Sequence, residues 1–467
     1  MVFSSPIFLS IFLPTLLVVY LVAPRIARNI ILTIFSLAFY AWGEPYAVWA
    51  LVGLTAFTYL VALAIEVGKG WNRVLALSIG VVVDIGTLVV YKYLGFIIEN
   101  INALLDMTGL AVQLPETHIA LPIGISFYVF QLLSYMVDVY RGSVSSQRNP
   151  LRLLLYVGLF PQLIAGPIVR YSTVVSDIAN RAIVATNIFS GARRFSVGLA
   201  KKVLIADVMA EVADGIFGGA IAQTPCFWCW VGAFAYTMQI YFDFSGYSDM
   251  AIGLGRMFNF KFLENFDHPY CATSIQEFWR RWHISLSTWF RDYLYIPLGG
   301  NRKGLIRTYV NLFVVFLLCG IWHGAAWTFL VWGLYHGIGI VVERIGFGKF
   351  VARFPKVLGN MYTFLFVVVG WVIFRSNTLE AAWQFLGIMF RGNACASGLA
   401  FSRALPLVSV KVLVVFGIAV VASYPQISSF CLKAPTWLKS ISAFILFAVA
   451  FMFAVTSGYS PFIYFRF

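Results

Sequence analysis

Long apolar segments recur along this sequence, and they constrain its fold more than any other feature. Many approach the roughly 20 residues that an α-helix needs to cross a lipid bilayer. Charged residues make up only 11% of the 467 positions, and the mean hydropathy is +0.85. Because a soluble domain carries roughly 25% charged residues, the sequence predicts an all-α polytopic membrane protein.

The apolar segments predict about eleven to thirteen transmembrane or re-entrant helices. The segment 308–342 is too long for one crossing, and its glycines, Gly320, Gly324 and Gly333, allow it to bend or to form two helices. We find no internal repeat and no low-complexity linker, so we predict a single domain over 1–467. The expected spans lie near 6–23, 30–42, 46–66, 74–98, 119–138, 151–168, 195–216, 230–252, 308–342, 360–374, 405–423 and 440–457.

Basic residues alternate with the early spans in a pattern that predicts the orientation of the chain. Lys or Arg occurs around 24–29, 69–73 and 139–152, whereas 43–45 and 97–118 contain neither. The positive-inside rule then places the basic loops in the cytoplasm and the N-terminus on the outer, periplasmic side. The net charge of +14 has the same origin, and its scattering along the chain argues against a nucleic-acid partner.

The segment 256–307 is rich in Arg, Trp, Tyr and Asp and is too polar to cross lipid unaided. Ser274 and Glu277 form a capping-box pattern that predicts the start of a helix, and Pro297 with the glycines after it predicts the end. Aromatic and basic residues together suit the headgroup zone. We therefore expect an amphipathic or re-entrant helix on the cytoplasmic side, able to line a cavity.

Polar residues occur at two places inside predicted spans, where ionisable side chains are costly. Asp84 and Lys92 are eight residues apart, close to two helical turns, so we expect a structural salt link between them. The stretch "YFDFSGYSDMAIG" brings together Asp243, Ser245, Tyr247 and Asp249. These side chains can line a polar tunnel or bridge neighbouring helices, and the sequence favours neither alternative.

The stretch "LLCGIWHGAAWTFLVWGLYHG" places two of the five histidines, His323 and His336, in an almost wholly apolar segment. A neutral imidazole can accept a proton near neutral pH while remaining tolerable in an apolar wall. A lone histidine on an apolar helix usually only packs, but Trp322 and Gly324 flank His323, and a glycine allows close approach of a ligand. His336 is about 20 Å further along an unbroken helix, so the two share a site only if the segment bends.

Several common catalytic and metal-binding patterns are absent from the sequence. There is no Walker A loop, no GxSxG and no HExxH, and "HISLS" at His283 lacks the acid of an HxxxxD acyltransferase. Cys226 and Cys229 form one CxxC without a second pair, which favours packing over zinc. We expect no metal and no bound cofactor. His283 can face His323 across a cavity, although spacing alone does not decide this.

Two stretches resemble signature regions of the membrane-bound O-acyltransferase (MBOAT) superfamily: "EFWRRWHISLSTWFRDYLYIPLGGNRKG" (277–304) and "GIWHGAAWTFLVWGLYHG" (320–337). The stretches "LPIGISFYVFQLLSYMVDVYRG", "FPQLIAGPIVR" and "FIYFRF" are similar to the same branch, which holds the alginate O-acetyltransferase membrane subunits and their peptidoglycan-acetylating relatives. The resemblance covers nearly the whole chain. It implies a multi-helix fold around a central tunnel, with His323 as the essential histidine and His283 at the second signature position.

The resemblance also implies a reaction and its partners. Acetyl-CoA would be the cytoplasmic donor, the chain would lie in a bacterial inner membrane, and a periplasmic acetyltransferase- or esterase-like partner would complete transfer to a polysaccharide hydroxyl. In such a reaction His323 can take the hydroxyl proton or carry the acetyl group, and His283 can orient the donor or stabilise the oxyanion. The further candidate binding residues are Trp322, Arg280, Arg281, Arg291, Asp292, Tyr241, Asp243, Ser245 and His336.

The basic collar, which comprises Arg280, Arg281, Arg291, Arg302 and Lys303, suits the phosphates of coenzyme A. Anchoring to lipid headgroups is the alternative for each of these residues. Two other functions stay open: a transporter or flippase with a proton-relay histidine, and a scaffold that only recruits a periplasmic enzyme. Transporters often contain internal repeats, and their absence here favours the enzyme.

Overall fold

The computed structural model describes residues 2–109, 112–117, 119–391, 407–426, 433–456 and 463. These residues form helices and connecting loops, and none of them lies in a β-strand. The prediction of an all-α polytopic membrane protein is confirmed. Six helical runs in the described part are long and apolar enough to cross a membrane: Arg25–Gly43, Ala47–Val67, Trp71–Met107, Leu305–His323, Lys356–Arg375 and Thr436–Thr456.

The described helices follow one another through short connections. Up to residue 200 they are α1 (Leu13–Val22), α2 (Arg25–Gly43), α3 (Ala47–Val67), α4 (Trp71–Leu88), α5 (Leu94–Met107), α6 (Ile125–Arg141), α7 (Pro150–Gly158), α8 (Phe160–Leu163), α9 (Tyr171–Ala179) and α10 (Ala185–Ala200). The later ones are α11 (Asp207–Phe217), α12 (Cys226–Met257), α13 (Ile275–Arg281), α14 (Ile284–Phe290), α15 (Leu305–His323), α16 (Trp327–Val342), α17 (Gly348–Val351), α18 (Lys356–Arg375), α19 (Leu379–Arg391), α20 (Val410–Ala422) and α21 (Thr436–Thr456).

The helices differ from the expected spans in several places. The segment 151–168 contains the short helices α7 and α8, because Pro161 has no N–H to continue the hydrogen bonds of α7. The segment 308–342 forms two helices, α15 and α16, which confirms one of the two expected alternatives. The helices α9 and α19 were not expected. Residues 405 and 406 of one expected span and residue 457 of another lie outside the described residues.

Most of one compact unit is formed by Ile7–Ile188 and Leu254–Leu263. Its core includes a cluster of aromatic rings from Phe8, Phe39 and Phe160, whose centroids lie 5.5–6.2 Å apart. All three rings are fully buried. Offset and edge-to-face ring pairs of this kind contribute roughly 0.5–1.5 kcal/mol each beyond the area that they bury, so the cluster is a main source of stability in this unit.

The expected salt link between Asp84 and Lys92 is wrong. The Nζ of Lys92 lies 3.2 Å from the Oγ of Ser126, and neither carboxylate oxygen of Asp84 has a hydrogen-bond partner among the described residues. A π-helical turn at Val89–Tyr93 separates the two side chains. Because a π-helical turn has more residues than an α-helical one, a spacing of eight residues no longer places both on one helix face.

The second compact unit comprises Phe3–Pro6, Phe189–Gly253 and Glu264–Phe467. Within it α15 packs on α16, and α16 packs on α18. The buried helix α12 supplies many of its core side chains, among them Tyr236, Phe242 and Met250. This unit contains every residue of the candidate site described below. The assignment of the whole chain to a single domain stays a prediction.

The polar segment forms two short helices, α13 and α14, where we expected one. Ser274 caps the first, since its hydroxyl accepts a hydrogen bond from the N–H of Glu277 at 3.0 Å. The break follows from His283, which has a left-handed backbone (φ 44°) and therefore ends α-helical hydrogen bonding between the two. The position of this segment on the cytoplasmic side stays a prediction.

Candidate functional site

The two helices that carry His323 and His336 cross at a pair of glycines. A Cβ atom on Gly320 would lie 3.2 Å from the Cα of Gly333, and one on Gly333 would lie 3.0 Å from the Cα of Gly320. Small residues at such a crossing let two helix backbones approach closely. Because α15 ends at His323 and α16 begins at Trp327, the chain turns directly after the first histidine.

A small aromatic cavity lies against the ring of His323. Its lining side chains surround about 280 Å³ of free volume, which includes space open to solvent, and they leave room for about one water molecule. The ring meets Trp332 and Phe374 edge to face, with centroids 5.0 and 5.3 Å apart. The side chains that line the cavity are Ile240, Phe244, Trp282, His323, Trp332, Trp371, Phe374 and Ile463. Among these eight, only His323 titrates.

His283 lies beside this cavity but does not line it. Its ring meets Phe244, which does line the cavity, with centroids 4.6 Å apart. The ring of Trp322 lies 6.2 Å from that of His283 and 4.9 Å from that of His323. The structure therefore brings both signature histidines into one aromatic cluster, in which Trp322 contacts each of them.

Asn265 determines which nitrogen of His283 carries the proton. The Oδ1 of Asn265 accepts hydrogen bonds from the backbone N–H of Ser285 at 3.2 Å and from its hydroxyl at 2.8 Å. A backbone N–H can only donate, so this amide atom is the oxygen. The Nδ1 of His283 lies 3.2 Å from the same oxygen and must donate its proton. The Nε2 then carries a lone pair, and it has no hydrogen-bond partner among the described residues.

This arrangement makes Nε2 of His283 a hydrogen-bond acceptor. Burial lowers the pKa of His283 to about 3, so the ring is neutral at physiological pH. A neutral ring with its proton on Nδ1 can accept a hydrogen bond at Nε2 but cannot donate one there. Two roles were expected for His283. Orientation of the acetyl donor fits this tautomer, because the lone pair on Nε2 can accept a hydrogen bond. Stabilisation of an oxyanion does not fit it, because that role needs an N–H.

We expect Asn265→Ala to lower acyl transfer by at least about tenfold, because a catalytic imidazole that loses its orienting partner adopts the wrong tautomer. Asn265→Asp keeps the acceptor but adds a negative charge beside Nδ1, which raises the pKa of His283. The acid limb of the pH–rate profile should then move to higher pH. A profile of Asn265→Asp that matches the unmodified protein, together with full activity of Asn265→Ala, would contradict this assignment.

The structure places His336 behind Trp332, away from the cavity. The Nε1–H of Trp279 donates to the Nδ1 of His336 at 3.2 Å. The ring of Trp332 lies 5.0 Å from that of His336 and 5.0 Å from that of His323. The turn between α15 and α16 thus brings both histidines into contact with one indole, although only His323 lines the cavity. The binding role of His336 stays a prediction.

The polar residues of α12 point to different neighbours. Asp243 pairs with the Nζ of Lys202 at 2.9 Å and accepts the backbone N–H of Ile463 at 2.9 Å. The ring of Tyr241 packs against that of Tyr270, with centroids 5.1 Å apart, and Ser245 is buried. None of the three lines the cavity. The contacts of Asp243 correspond to the bridging alternative.

The basic collar divides into paired and unpaired side chains. Arg281 pairs with Glu277 at 2.9 Å, and Arg291 pairs with Asp292 at 2.6 Å. The hydrogen bond to Asp292 raises the pKa of Arg291. Arg280, Arg302 and Lys303 are exposed, and the described residues give them no ion pair. These three are therefore the members of the collar whose charge is free to meet an anion.

Most of the cavity wall was not expected from the sequence. Phe244 and Trp332 lie within stretches that we singled out, next to Asp243 and four residues before His336, but nothing distinguished them from packing residues. Asn265 lies in the polar segment 256–307, but nothing in the sequence distinguished it from its neighbours. Ile463 is 140 residues from His323, and only the folded chain brings the two to one cavity.

Cys226 belongs to the CxxC pair for which the sequence favoured packing over zinc. Its thiol donates a hydrogen bond to the carbonyl of Met389 at 3.3 Å.

The fold and the site together define a polytopic helical membrane protein with a histidine at an apolar, aromatic cavity. Residues 143–383 match the model of the "MBOAT, membrane-bound O-acyltransferase family". The chain therefore belongs to the membrane-bound O-acyltransferase family and is an O-acyltransferase.

Relatives from three bacteria are similar over most or all of the chain. The "Probable alginate O-acetylase AlgI" of Azotobacter vinelandii is 40% identical over 504 residues, which cover 100% of both chains. The protein of the same name from Pseudomonas aeruginosa is 46% identical over 84% of this chain and 75% of the relative. The "Peptidoglycan O-acetyltransferase" of Helicobacter pylori is 37% identical over 100% of this chain and 98% of the relative.

Proposed function

We propose that this chain transfers acetyl groups from cytoplasmic acetyl-CoA across the inner membrane for the O-acetylation of an extracytoplasmic polysaccharide. The polymer is an alginate-type exopolysaccharide or peptidoglycan, and a periplasmic acetyltransferase- or esterase-like partner completes the transfer. The names of the relatives in Azotobacter and Helicobacter support this class of acceptor. The observation that carries the proposal is the ring of His323 in the wall of a small cavity, where it is the one titratable side chain among the described residues that line it.

The chemistry follows from the weakness of hydroxyl nucleophiles at neutral pH. As the acceptor oxygen bonds to the acetyl carbon, His323 takes the hydroxyl proton. The bond between that carbon and the sulfur of coenzyme A then breaks, and the proton passes to the departing thiolate. The aromatic wall keeps bulk water from the thioester, so hydrolysis does not compete with transfer.

The donor binds through the phosphates of coenzyme A to the unpaired residues of the basic collar. We expect the double variant Arg280→Ala/Arg302→Ala to raise the KM for acetyl-CoA by roughly tenfold with little change in kcat, since each charge-assisted contact contributes about 1.5–3 kcal/mol when fully formed and less when exposed. The measurement is steady-state release of coenzyme A thiol.

Arg353→Ala is the matched control, because Arg353 is equally exposed but lies outside the segment 277–304. It should leave the KM unchanged. An unchanged KM in the double variant would contradict phosphate binding by the collar and would favour the alternative, anchoring to lipid headgroups.

Inverted inner-membrane vesicles test the reaction and its direction. We expect label from acetyl-CoA, added on the cytoplasmic face, to appear on polymer inside the vesicles with release of one thiol per acetyl group. A transporter or flippase would move substrate without cleaving the thioester, and a scaffold would do neither. The same vesicles test the orientation, because a tag on a periplasmic N-terminus would be protected from added protease.

A further inference from the structure

Two of the side chains that line the cavity are aliphatic, Ile240 and Ile463. Ile240 lies within α12, whereas Ile463 lies outside every helix that supplies the other lining residues. The aromatic side chains of the wall pack against one another. The centroid of the Trp332 ring lies 5.9 Å from that of Trp371 and 5.0 Å from that of Phe374. Ile463 therefore adds an aliphatic part to a wall whose aromatic members contact one another.

Buried charges hold Ile463 in this position. Its backbone N–H donates to the Oδ2 of Asp243 at 2.9 Å, and the side chain of Ile463 is 4% exposed. The other oxygen of Asp243 pairs with Lys202 at 2.9 Å, and Lys202 pairs with Asp207 at 2.5 Å. A backbone group bonded to a buried, paired carboxylate has little freedom to move, so the side chain of Ile463 forms a fixed wall.

We propose that Ile463 sets the largest acyl group that can reach His323 and thereby restricts the reaction to two-carbon donors. The inference rests on the proposed acyl transfer from acyl-CoA. The side chains that line the cavity leave room for only about one water molecule, so any acyl group that reaches His323 is in contact with the wall, Ile463 included. Each further methylene must displace part of the wall, and a rigid apolar pocket discriminates by about 10–200-fold per methylene.

The test compares acetyl-, propionyl- and butyryl-CoA as donors for the purified full chain, with kcat/KM for thiol release as the readout. The unmodified protein should prefer acetyl-CoA to propionyl-CoA by at least about tenfold. Ile463→Val should reduce this preference slightly, and Ile463→Ala should reduce it by about tenfold or more. Ile463→Phe should fill the space and lower transfer of every acyl group.

Ile252→Ala is the matched control, since Ile252 is equally buried on α12 but does not line the cavity. It should leave the ratio of the two donors unchanged whatever it does to stability. If Ile463→Ala does not fold, as judged by its thermal melting curve, Ile463→Val provides the decisive ratio, because it removes only one methyl group.

Failure of the inference and failure of the proposed function give different results. Transfer from acetyl-CoA with the same donor preference in the Val and Ala variants as in the unmodified protein would overturn the role of Ile463 and leave the reaction intact. A change of preference in Ile252→Ala as large as that in Ile463→Ala would also overturn it. No thiol release from any donor would overturn the proposed function and this inference with it.

Discussion

The His323→Phe variant should fold normally and lose acyl transfer by a factor of about 10²–10⁴, the usual contribution of a positioned general base. Phenylalanine keeps an aromatic ring between Trp332 and Phe374, which lie 5.0 and 5.3 Å from the histidine ring, but it cannot take a proton. The measurement is release of coenzyme A thiol by purified protein, at equal amounts of folded material.

His268→Ala is the control for this variant. His268 belongs to the same compact unit, and its Nδ1 lies 3.2 Å from the carbonyl of Ser423, but it does not line the cavity. We expect nearly full activity. Equal losses in His268→Ala and His323→Phe would indicate damage to the fold, and normal transfer by His323→Phe would remove His323 from the reaction.

Lys202→Met should destabilise the protein by about 3–5 kcal/mol, the cost of removing one partner of a buried ion pair. The Nζ of Lys202 lies 2.5 Å from Asp207 and 2.9 Å from Asp243, and all three side chains are nearly inaccessible. Methionine has a similar length but no charge, so it removes the cation that the two buried carboxylates share. The unfolding midpoint of the detergent-solubilised protein should fall accordingly.

The neighbouring Lys201→Met provides the comparison. Lys201 is 27% exposed and pairs with Asp249 at 2.7 Å, but Asp249 keeps a second partner, Arg194, at 2.6 Å. We expect a change of about 1 kcal/mol or less. If both variants melt at the same temperature, Lys202 does not compensate the two carboxylates. Because Asp243 also holds Ile463, Lys202→Met should in addition weaken the preference for acetyl-CoA.

The sequence predicted those parts of the fold that depend on local pattern. Apolar length predicted the long helices, such as α3 and α18, and the glycines predicted that 308–342 would not be one straight helix. One of these glycines, Gly324, directly follows His323, where α15 ends. The Ser274 cap is likewise a local pattern.

Features that depend on residues distant in sequence were not predictable in this way. The break at His283 is stabilised by Asn265, which lies 18 residues earlier and whose own carbonyl accepts the N–H of Ile284 at 2.9 Å. The predicted salt link between Asp84 and Lys92 is wrong because a π-helical turn shifts the positions of the later side chains around the helix axis. The spacing of apolar residues does not reveal such a turn. The cavity combines residues from several helices with Ile463, so no spacing along one segment reveals it.

The most direct test of the account is an electron cryo-microscopy map of the protein with a non-hydrolysable acetyl-CoA analogue. We predict density for the acetyl group within hydrogen-bonding distance of the His323 ring, enclosed by Trp332, Phe374 and Ile463. An acetyl group bound elsewhere, with the His323 ring packed only against apolar side chains, would contradict the central claim that this imidazole meets the acyl group.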